Sequence, residues 1–237
     1  MQAVILAAGD GDRLAPQTDA LPKPLLPLHG RPIIGYVLEG LAAAGVSDAV
    51  VVLGYRGDQL RAALEDSAPD GVRIRFVENE RYEAGNARSL WCARDAVDDG
   101  FVLAMADHLV EPALTSALVE RANGRCRLAT DGAAADDPRA DEATRACVRD
   151  GLVVDLGKSL APWNALDTGS FWCTPEVFDV LEDPMAHDGE LAAAFAALAR
   201  ERRLDAVDVT GRRWIDIDTP GDLRAAEAML EADGRFA

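Results

Sequence analysis

Two glycines and two basic residues near the start of the chain could bind a phosphate group. The segment LAAGDGDRL carries Gly9, Gly11 and Arg13, and Lys23 follows between two prolines. Glycines accept a positive φ and let backbone N–H groups converge on an anion. The pattern is neither a dinucleotide fingerprint, because Leu14 replaces its third glycine, nor a P-loop, because no GK[ST] follows. The glycines alone are equally compatible with a strand-ending turn, but flanking prolines restrict the backbone at Lys23 and favour a functional role.

Three aspartates could hold a magnesium ion. Asp107 follows the apolar segment FVLAMA, and Asp216 and Asp218 alternate in WIDID, which places them on one face of a strand. Magnesium takes oxygen ligands, typically one or two carboxylates plus substrate phosphates. Each aspartate is also compatible with a strand-end turn, or for Asp218 with a solvated residue before Thr219. The residue types alone leave both interpretations open.

The elements that would position these residues follow from alternating apolar and amphipathic segments. Strands are predicted near 2–7, 48–53, 72–77 and 101–105, and helices near 32–44, 57–65, 87–96 and 112–122. Pro32 suits a first helical turn and Gly45 suits a helix end. This alternation predicts a parallel sheet with helices on both faces. Such sheets bind ligands at the carboxyl ends of their strands.

The second half of the chain is richer in strands. CRLATDG is predicted as a strand, AAADDPRADEA as a polar loop, and TRACVRDGLVVDLG as a hairpin that turns at Asp150-Gly151. A strand near 168–173, helices near 175–182 and 189–202, and strands near 204–209 and 213–217 complete the pattern. In the final helix, Thr219 is the predicted cap and Pro220 the first helical residue.

Composition excludes several classes of protein. The 237 residues, 49% of them hydrophobic, suit one compact domain, 1–237, and the net charge of -17 argues against nucleic-acid or anionic-membrane partners. No apolar run approaches the ~18 residues of a membrane span, and the first residues lack the basic segment of a signal peptide. The four scattered cysteines predict reduced thiols without a zinc site. We therefore expect a cytoplasmic protein.

The glycine loop and the Lys23 segment, LPKPLLPLHGRPII, together resemble the signature of nucleotidyltransferases. These enzymes join a nucleoside triphosphate to a phosphorylated acceptor and release pyrophosphate. The resemblance implies that the loop wraps the triphosphate and that Arg13 and Lys23 neutralise it. Asp12 stands where the family usually has Thr or Ser. A carboxylate beside a triphosphate is unfavourable unless it points away or meets a metal.

The resemblance also concerns the aspartates. Asp107 matches the metal-binding aspartate after the family's fourth strand, and WIDIDT matches its late metal segment. Asp216 matches the aspartate of the family's W-L-D and is favoured over Asp218 as a direct ligand, although the choice stays open. The implied fold is a Rossmann-like, mostly parallel mixed sheet with flanking helices and a small β-rich extension on the acceptor side, of the nucleotide-diphospho-sugar transferase type. The implied division is a nucleotide-binding half, 1–123, and an acceptor and metal half, 124–237.

Further segments narrow the subfamily. EAGNARSLWCA resembles a stretch of cytidylyltransferases that act on inositol phosphate, phosphocholine or phosphonates, and MADH, GKSL and DTGSFW are most similar to inositol-1-phosphate cytidylyltransferases. The resemblance implies CTP and inositol 1-phosphate as substrates and Mg²⁺ as cofactor.

The candidate site residues fall into four groups. The catalytic cations are Arg13 and Lys23. The nucleotide-binding residues are Leu6, Ala7, Ala8, Gly9, Gly11, Asp12, Gly85, Asn86, Ser89 and Asp107. The acceptor-binding residues are His108, Lys158, Asp167, Thr168 and Gly169. The metal ligands are Asp107, Asp216 and Asp218.

Several of these residues have structural alternatives. Asn86 could cap a helix that begins at Ala87, and Ser89 could fill its first turn. Lys158 could be an exposed hairpin lysine, although it is one of only two lysines among 24 basic residues. Asp167 and Thr168 could be ordinary strand residues, and His108 could be a strand-end hydrogen-bonding residue, since magnesium prefers oxygen.

The inferred chemistry is attack of an acceptor phosphate oxygen on the α-phosphorus of CTP. A phosphate monoester is largely dianionic at pH 7, since its second pKa is about 6, and so needs no general base. Charge neutralisation and positioning carry the catalysis. The alternatives are another base or acceptor, such as a phosphonate, phosphocholine or a sugar 1-phosphate, and a non-catalytic nucleotide sensor. The sequence leaves the oligomeric state, including a homodimer, open.

Overall fold

A computed structural model describes residues 1–65, 67–120, 124–134, 136–181 and 189–231. The strands are β1 (Gln2–Ala7), β2 (Pro27–Leu28), β3 (Arg31–Pro32), β4 (Asp48–Leu53), β5 (Arg73–Glu78), β6 (Phe101–Met105), β7 (His108–Val110), β8 (Cys126–Gly132), β9 (Arg145–Arg149), β10 (Leu152–Gly157), β11 (Ala165–Cys173), β12 (Leu204–Asp208) and β13 (Trp214–Asp216). The helices are α1 (Ile33–Ala43), α2 (Gly57–Glu65), α3 (Asn86–Cys92), α4 (Pro112–Glu120), α5 (Val177–Val180), α6 (Leu191–Arg200) and α7 (Pro220–Glu231).

Within this part of the chain, nine strands form one mixed sheet in the order β5-β4-β1-β6-β11-β8-β12-β10-β9. Strands β5, β4, β1 and β6 are parallel, and β11 joins β6 and β8 in antiparallel fashion. Strand β9 also pairs with β11, so β11, β8, β12, β10 and β9 close into a ring. This ring is the predicted β-rich extension of a mostly parallel sheet.

The inner strands of the parallel part, β1, β4 and β6, are buried on both faces, whereas the edge strand β5 is partly exposed. Along β1, Val4 and Leu6 pack into the cluster beneath α3, α5 and α6, whereas Ala3, Ile5 and Ala7 pack beneath α1 and α2. This division follows from the period of two along a strand. Nearly continuous apolar strands are what a two-sided parallel sheet requires.

A smaller hydrophobic cluster holds the functional segments in place. It includes Leu14 from the glycine loop, Leu26 from the segment after Lys23, Leu109 from β7 and Ile217 from the chain after β13. Each is a direct neighbour, or lies within three residues, of a polar candidate residue. The polar side chains therefore extend from backbone that is anchored by buried apolar groups.

Most of the predicted elements are confirmed. Residues Asp150 and Gly151 turn the β9–β10 hairpin with positive φ values of 50° and 76°. Gly45 follows α1 with φ 90°. The helix predicted near 87–96 ends earlier, at Cys92, and a 3₁₀ turn follows at Arg94–Ala96.

Other boundaries differ modestly. The strand predicted near 168–173 begins at Ala165, because it extends to pair with β9. The helix predicted near 175–182 contains only Val177–Val180. Positions 121 and 122 of the helix predicted near 112–122, and position 182, lie outside the described residues. The helices of the described residues are too short or too polar to cross a lipid bilayer.

Candidate active site

The glycine loop follows β1 at the carboxyl edge of the sheet and packs directly on Lys23. Gly11 has φ 70°, and a Cβ there would lie 2.9 Å from the Cβ of Lys23. The Gly11 carbonyl accepts hydrogen bonds from Leu14 N, at 2.9 Å, and from the Thr18 hydroxyl, at 3.2 Å. Gly9 takes no positive φ, so the expected conformational need for glycine applies only to Gly11.

The residues at the end of β1, just before the glycine loop, take part in the site through their backbone rather than their side chains. Leu6, Ala7 and Ala8 are buried. The Leu6 carbonyl accepts from Ala106 N at 3.0 Å, and the Ala8 carbonyl accepts from Tyr55 N at 2.9 Å. These bonds tie the loop to β6 and to the end of β4.

Lys23 is the centre of the site. Pro22 is extended, and a 3₁₀ turn at Lys23–Leu25 sends the side chain inward, where only 6% of the residue remains exposed. Its Nζ donates to Asp107 Oδ2 and to Asp218 Oδ1, both at 2.6 Å. The residue expected from sequence to be a fixed cation is therefore buried between two carboxylates that are distant along the chain.

Arg13 extends the same cluster towards solvent. Its guanidinium lies 2.5 Å from Asp218 Oδ2, and its side chain is 67% exposed. Asp218 thus engages one cation with each oxygen. Asp12 lies exposed on the same 3₁₀ turn, and its role stays a prediction.

Asp216 is connected to Asp107 through His108. Strands β7 and β13 pair so that Asp216 is opposite His108. The His108 Nδ1 lies 2.9 Å from Asp107 Oδ1 and 3.6 Å from Asp216 Oδ1. The short β7–β13 pair, which the sequence did not predict as a ladder, is what brings these three groups together.

The protonation states follow from this crowding. Burial disfavours the charge on Lys23, but Asp107 and Asp218 outweigh it and raise the pKa of the ammonium above its usual value. Burial opposes ionisation of Asp107 and Asp218 too, yet Lys23 leads the effects that lower the pKa of each carboxyl. All three groups are therefore charged at neutral pH.

The pKa values of both His108 and Asp216 are raised above those of the same groups in water. Burial lowers the pKa of His108, but Asp216 and Asp107 outweigh it and raise the value to about 9. Burial, together with the negative charges of Asp107 and Asp218, raises the pKa of Asp216 to about 6. A protonated His108 has no lone pair for a metal, which agrees with the preference of magnesium for oxygen.

The residues present fit a hard cation. Among the described residues, Asp107, His108 and Asp216 have potential ligand atoms within 4.8 Å of one another. Asp216 Oδ1 is a buried atom without a hydrogen-bond partner in the part of the chain that the structure describes. An orphaned carboxylate oxygen next to a second carboxylate is a donor set suited to Mg²⁺. Asp218 differs, since both its oxygens face Lys23 or Arg13.

Asp218 is held by the start of α7. The Asp222 carboxylate accepts from the backbone N–H groups of Asp218, at 3.1 Å, and Thr219, at 2.7 Å. The Thr219 hydroxyl accepts from Asp222 N at 3.3 Å, as the predicted cap requires. Asp222 was not among the residues predicted from sequence, although T-x-x-D resembles a capping box. Thr18 was not predicted either, and no pattern in the sequence indicates it.

The predicted acceptor segment lies beside His108. Gly169 has φ 73°, and a Cβ there would lie 2.4 Å from the His108 ring. Asp167 accepts from Gly169 N at 2.7 Å, and burial raises its pKa to about 6. The Thr168 side chain is fully buried and donates to the Ala129 carbonyl at 3.0 Å. Backbone and Asp167 are thus better placed than Thr168 to meet a ligand.

Lys158 is exposed just after β10. The residue before it, Gly157 on β10, is opposite Arg145 on β9. Arg145 is in turn opposite Leu166 on β11, the strand on the other side of β9. Neighbouring strands are about 4.8 Å apart, so Lys158 lies about two strand spacings from the Asp167 segment. The ring of strands therefore brings Lys158 to the same edge, without a contact to the Lys23 cluster among the described residues.

The EAGNARSL segment is organised differently from the prediction. Helix α3 begins at Asn86, and Gly85, with φ 93°, occupies the N-cap without a side-chain hydrogen bond. The predicted cap by Asn86 is therefore wrong, because the residue is already helical, and its side chain is exposed. Ser89 is buried and accepts from Asn79 Nδ2 at 3.0 Å. A nucleotide contact of Ser89 stays a prediction.

Comparison with known proteins identifies relatives that span nearly the whole chain. Residues 3–207 match the model of the MobA-like NTP transferase domain. The bifunctional IPC transferase and DIPP synthase of Rubrobacter xylanophilus is 34% identical over 238 residues, which cover 96% of this chain and 51% of that protein. The chain thus spans about half the length of such curated relatives.

Two further relatives match along their full length. The UTP–glucose-1-phosphate uridylyltransferase AglF of Haloferax volcanii is 29% identical, over 98% of both chains. The solved structure of the inositol-1-phosphate CTP transferase from T. maritima is 27% identical, covers 97% of this chain and 94% of its own, and superimposes with a TM-score of 0.85.

Proposed function

The chain belongs to the MobA-like NTP transferase family, and we propose that it transfers CMP from CTP to inositol 1-phosphate, giving CDP-inositol and pyrophosphate. The observation that carries the chemistry is the buried Lys23 between Asp107 and Asp218, with Arg13 at the outer edge of the cluster. The choice of CTP and inositol 1-phosphate is supported by the T. maritima structure and by the IPC transferase relatives.

We assign triphosphate binding to the glycine loop, Arg13 and Lys23. Backbone N–H groups of the loop meet phosphate oxygens, and Arg13 can pair with two of them at once. Lys23 is already desolvated, so it loses little hydration when it exchanges a carboxylate for a phosphate. Asp218 keeps both cations in place until the nucleotide arrives.

Asp107 and Asp216 would hold Mg²⁺, which when bound neutralises phosphate charge and strengthens the electrophilic character of the α-phosphorus. Asp216 is preferred to Asp218 because its buried Oδ1 lacks a hydrogen-bond partner among the residues described, whereas Asp218 binds the two cations. His108 stays protonated between Asp107 and Asp216 and limits their mutual repulsion.

The acceptor would approach from the side of Asp167 and Lys158. Lys158 attracts the phosphate monoester, and Asp167 can accept a hydrogen bond from a polyol hydroxyl. The acceptor oxygen then attacks the α-phosphorus as the bond to the β-phosphate breaks, and Arg13 and Lys23 stabilise the departing pyrophosphate. In this proposal residues 1–123 bind the nucleotide and supply the metal ligand Asp107, and residues 124–237 supply acceptor groups and the metal ligand Asp216.

One alternative has a specific observation in its favour. The Haloferax volcanii relative named as a glucose-1-phosphate uridylyltransferase matches over its full length, which supports UTP and a hexose 1-phosphate as the second candidate pair. A non-catalytic sensor is disfavoured because Arg13, Lys23, Asp107 and Asp216 are all retained and brought together.

The test is a substrate panel. CTP, UTP, dTTP and GTP are each combined with inositol 1-phosphate, glucose 1-phosphate, phosphocholine or a phosphonate, in the presence of Mg²⁺. Pyrophosphate release gives the rate, and mass spectrometry identifies the product. We expect CTP with inositol 1-phosphate to be the best pair. A faster reaction of UTP with glucose 1-phosphate would establish the alternative, and no release from any pair would contradict both.

A further inference from the structure

Two cysteines lie opposite each other at the end of the sheet away from the charged site. In the antiparallel pair of β8 and β11, Trp172 is opposite Arg127, so the next step of the same register places Cys173 opposite Cys126. Directly opposite residues point to the same face, with Cβ atoms roughly 4.5–5.5 Å apart. Both cysteines are fully buried in one hydrophobic cluster, beneath α5 and α6.

The two thiols have different surroundings. Cys126 Sγ accepts from Thr174 N at 3.4 Å and lies 3.5 Å from the Thr174 hydroxyl. Hydrogen bonding with Cys173 leads the effects that lower the pKa of Cys126, whereas burial raises the pKa of Cys173. Cys126 is therefore the more readily ionised member of the pair.

The separation suits a covalent bond. Disulfides join Cα atoms about 4.4–6.8 Å apart, and opposite residues on antiparallel strands lie about 4.5–5.5 Å apart. We propose that Cys126 and Cys173 form a reversible disulfide in the presence of a low-molecular-weight disulfide such as glutathione disulfide. The bond would link β8 to its neighbour β11, the strand that carries the predicted acceptor segment.

The exchange is balanced without another reactant. The Cys126 thiolate attacks one sulfur of glutathione disulfide, forms a mixed disulfide and releases one glutathione thiolate. The Cys173 thiolate then attacks Cys126 Sγ and releases the second. The protein loses two protons and two electrons, and both glutathione molecules leave as thiols after protonation.

The reaction is limited by the access of glutathione disulfide to the buried Cys126 sulfur, which lies beside Thr174. Thr174 is partly exposed and lies at the start of a turn that Glu176 closes through an ion pair with Arg203, at 2.9 Å. Opening of this turn would uncover Cys126, whose sulfur contacts Thr174. The bond would close the chain between positions 126 and 173, which contains β9 and β10, and restrict the unfolded state.

The experiment compares the folded protein incubated with glutathione disulfide and protein refolded from urea in the same buffer. Free thiols are then alkylated, and peptides are mapped by mass spectrometry. We expect a Cys126–Cys173 peptide and a rise of the melting temperature on the order of 5–10 °C. Cys126→Ala should abolish both effects, whereas the matched control Cys147→Ala should retain both.

Each outcome decides the proposal. A bond that forms only on refolding supports the pairing and shows that opening of the strands limits the folded protein. Four free thiols after oxidative refolding, or a bond that involves Cys92 or Cys147 instead, would overturn it. Persistence of the melting shift in Cys126→Ala would also overturn it.

Discussion

The two ends of the parallel sheet carry contrasting charge clusters. At the amino end, Asp48 pairs with Arg73 and Arg75, the latter at 3.0 Å, so one carboxylate meets two guanidinium groups. At the carboxyl end, Asp107 and Asp218 flank the buried Lys23, Arg13 lies beside Asp218, and His108 lies between Asp107 and Asp216.

The two clusters differ in whether their carboxylate oxygens have partners and in how deeply their charged groups are buried. Both oxygens of Asp48 have partners, and Arg73 is 72% exposed, which is typical of an ion pair whose contribution to stability is modest. At the other end Lys23 is desolvated, and Asp216 Oδ1 has no hydrogen-bond partner within the described ranges of the chain. Buried charge and an orphaned oxygen are costly for folding alone, and they indicate a site that is completed by a ligand.

The greatest loss of activity is expected for Lys23→Ala. Loss of the desolvated cation should lower the rate of pyrophosphate release on the order of 10²-fold or more, because the triphosphate loses its inner charge partner. Circular dichroism should show a folded protein. Unchanged turnover at saturating CTP would contradict the assignment of Lys23.

The next largest effect concerns the metal. Asp107→Asn and Asp216→Asn should each raise the Mg²⁺ concentration for half-maximal activity by about 10-fold or more, since each removes a charged oxygen ligand. Asp218→Asn should instead weaken CTP binding at saturating Mg²⁺, because it releases Arg13 and Lys23. EDTA should stop turnover without unfolding. Full activity in metal-free buffer would exclude the carboxylate site.

A smaller effect is expected for Lys158→Ala. The apparent KM for inositol 1-phosphate should rise about 10-fold and kcat should fall, with CTP affinity nearly unchanged, because an exposed ammonium attracts only the acceptor phosphate. Arg149→Ala, at the opposite end of the same hairpin, is the matched control and should leave both constants unchanged. A loss of CTP affinity would place Lys158 in the nucleotide site instead.

The smallest effect belongs to the amino end. Burial alone would raise the pKa of Asp48, but hydrogen bonds from Arg73 and Arg75 outweigh it and lower the pKa. The stabilisation is therefore present above the unfolded pKa of about 3.9 and is lost as pH falls through the lower folded value. Asp48→Asn should lower the free energy of unfolding by about 1 kcal/mol at pH 7 and leave turnover unchanged.

Urea unfolding of wild type and Asp48→Asn across pH would check this sign. The difference between the two should shrink below pH 4. A difference that grows on acidification, or a large loss of activity in Asp48→Asn, would remove the distinction between the two ends.

The sequence predicted the parallel half of the fold better than the ring. Strands near 2–7 and 48–53 are continuous apolar runs, and their order with amphipathic helices leaves few topologies. The second pairing of β9 with β11 depends on long-range contacts that carry no local pattern. The two-residue strands β2 and β3 and the β7–β13 pair are too short for a periodic signal.

For the site, residue types predicted the candidate side chains, and the structure supplied their partners. The prolines around Lys23 indicated a fixed cation but could not reveal that Asp107 and Asp218 flank it, since these lie far along the chain. The roles of Asp216 and Asp218 were ambiguous in sequence, because period-two spacing places both on one face. The EAGN segment predicted Asn86 as the N-cap of α3, whereas the N-cap is Gly85, one residue earlier.

We propose that the carboxyl-end cluster is a triphosphate site and that the amino-end cluster is not. Calorimetric titration of CTP in Mg²⁺ tests it most directly, with wild type, Lys23→Ala and Asp48→Asn side by side. We predict that Asp48→Asn binds CTP like wild type, that Lys23→Ala binds at least about 10-fold more weakly, and that EDTA weakens binding in wild type. Equal affinity of Lys23→Ala and wild type would contradict the account.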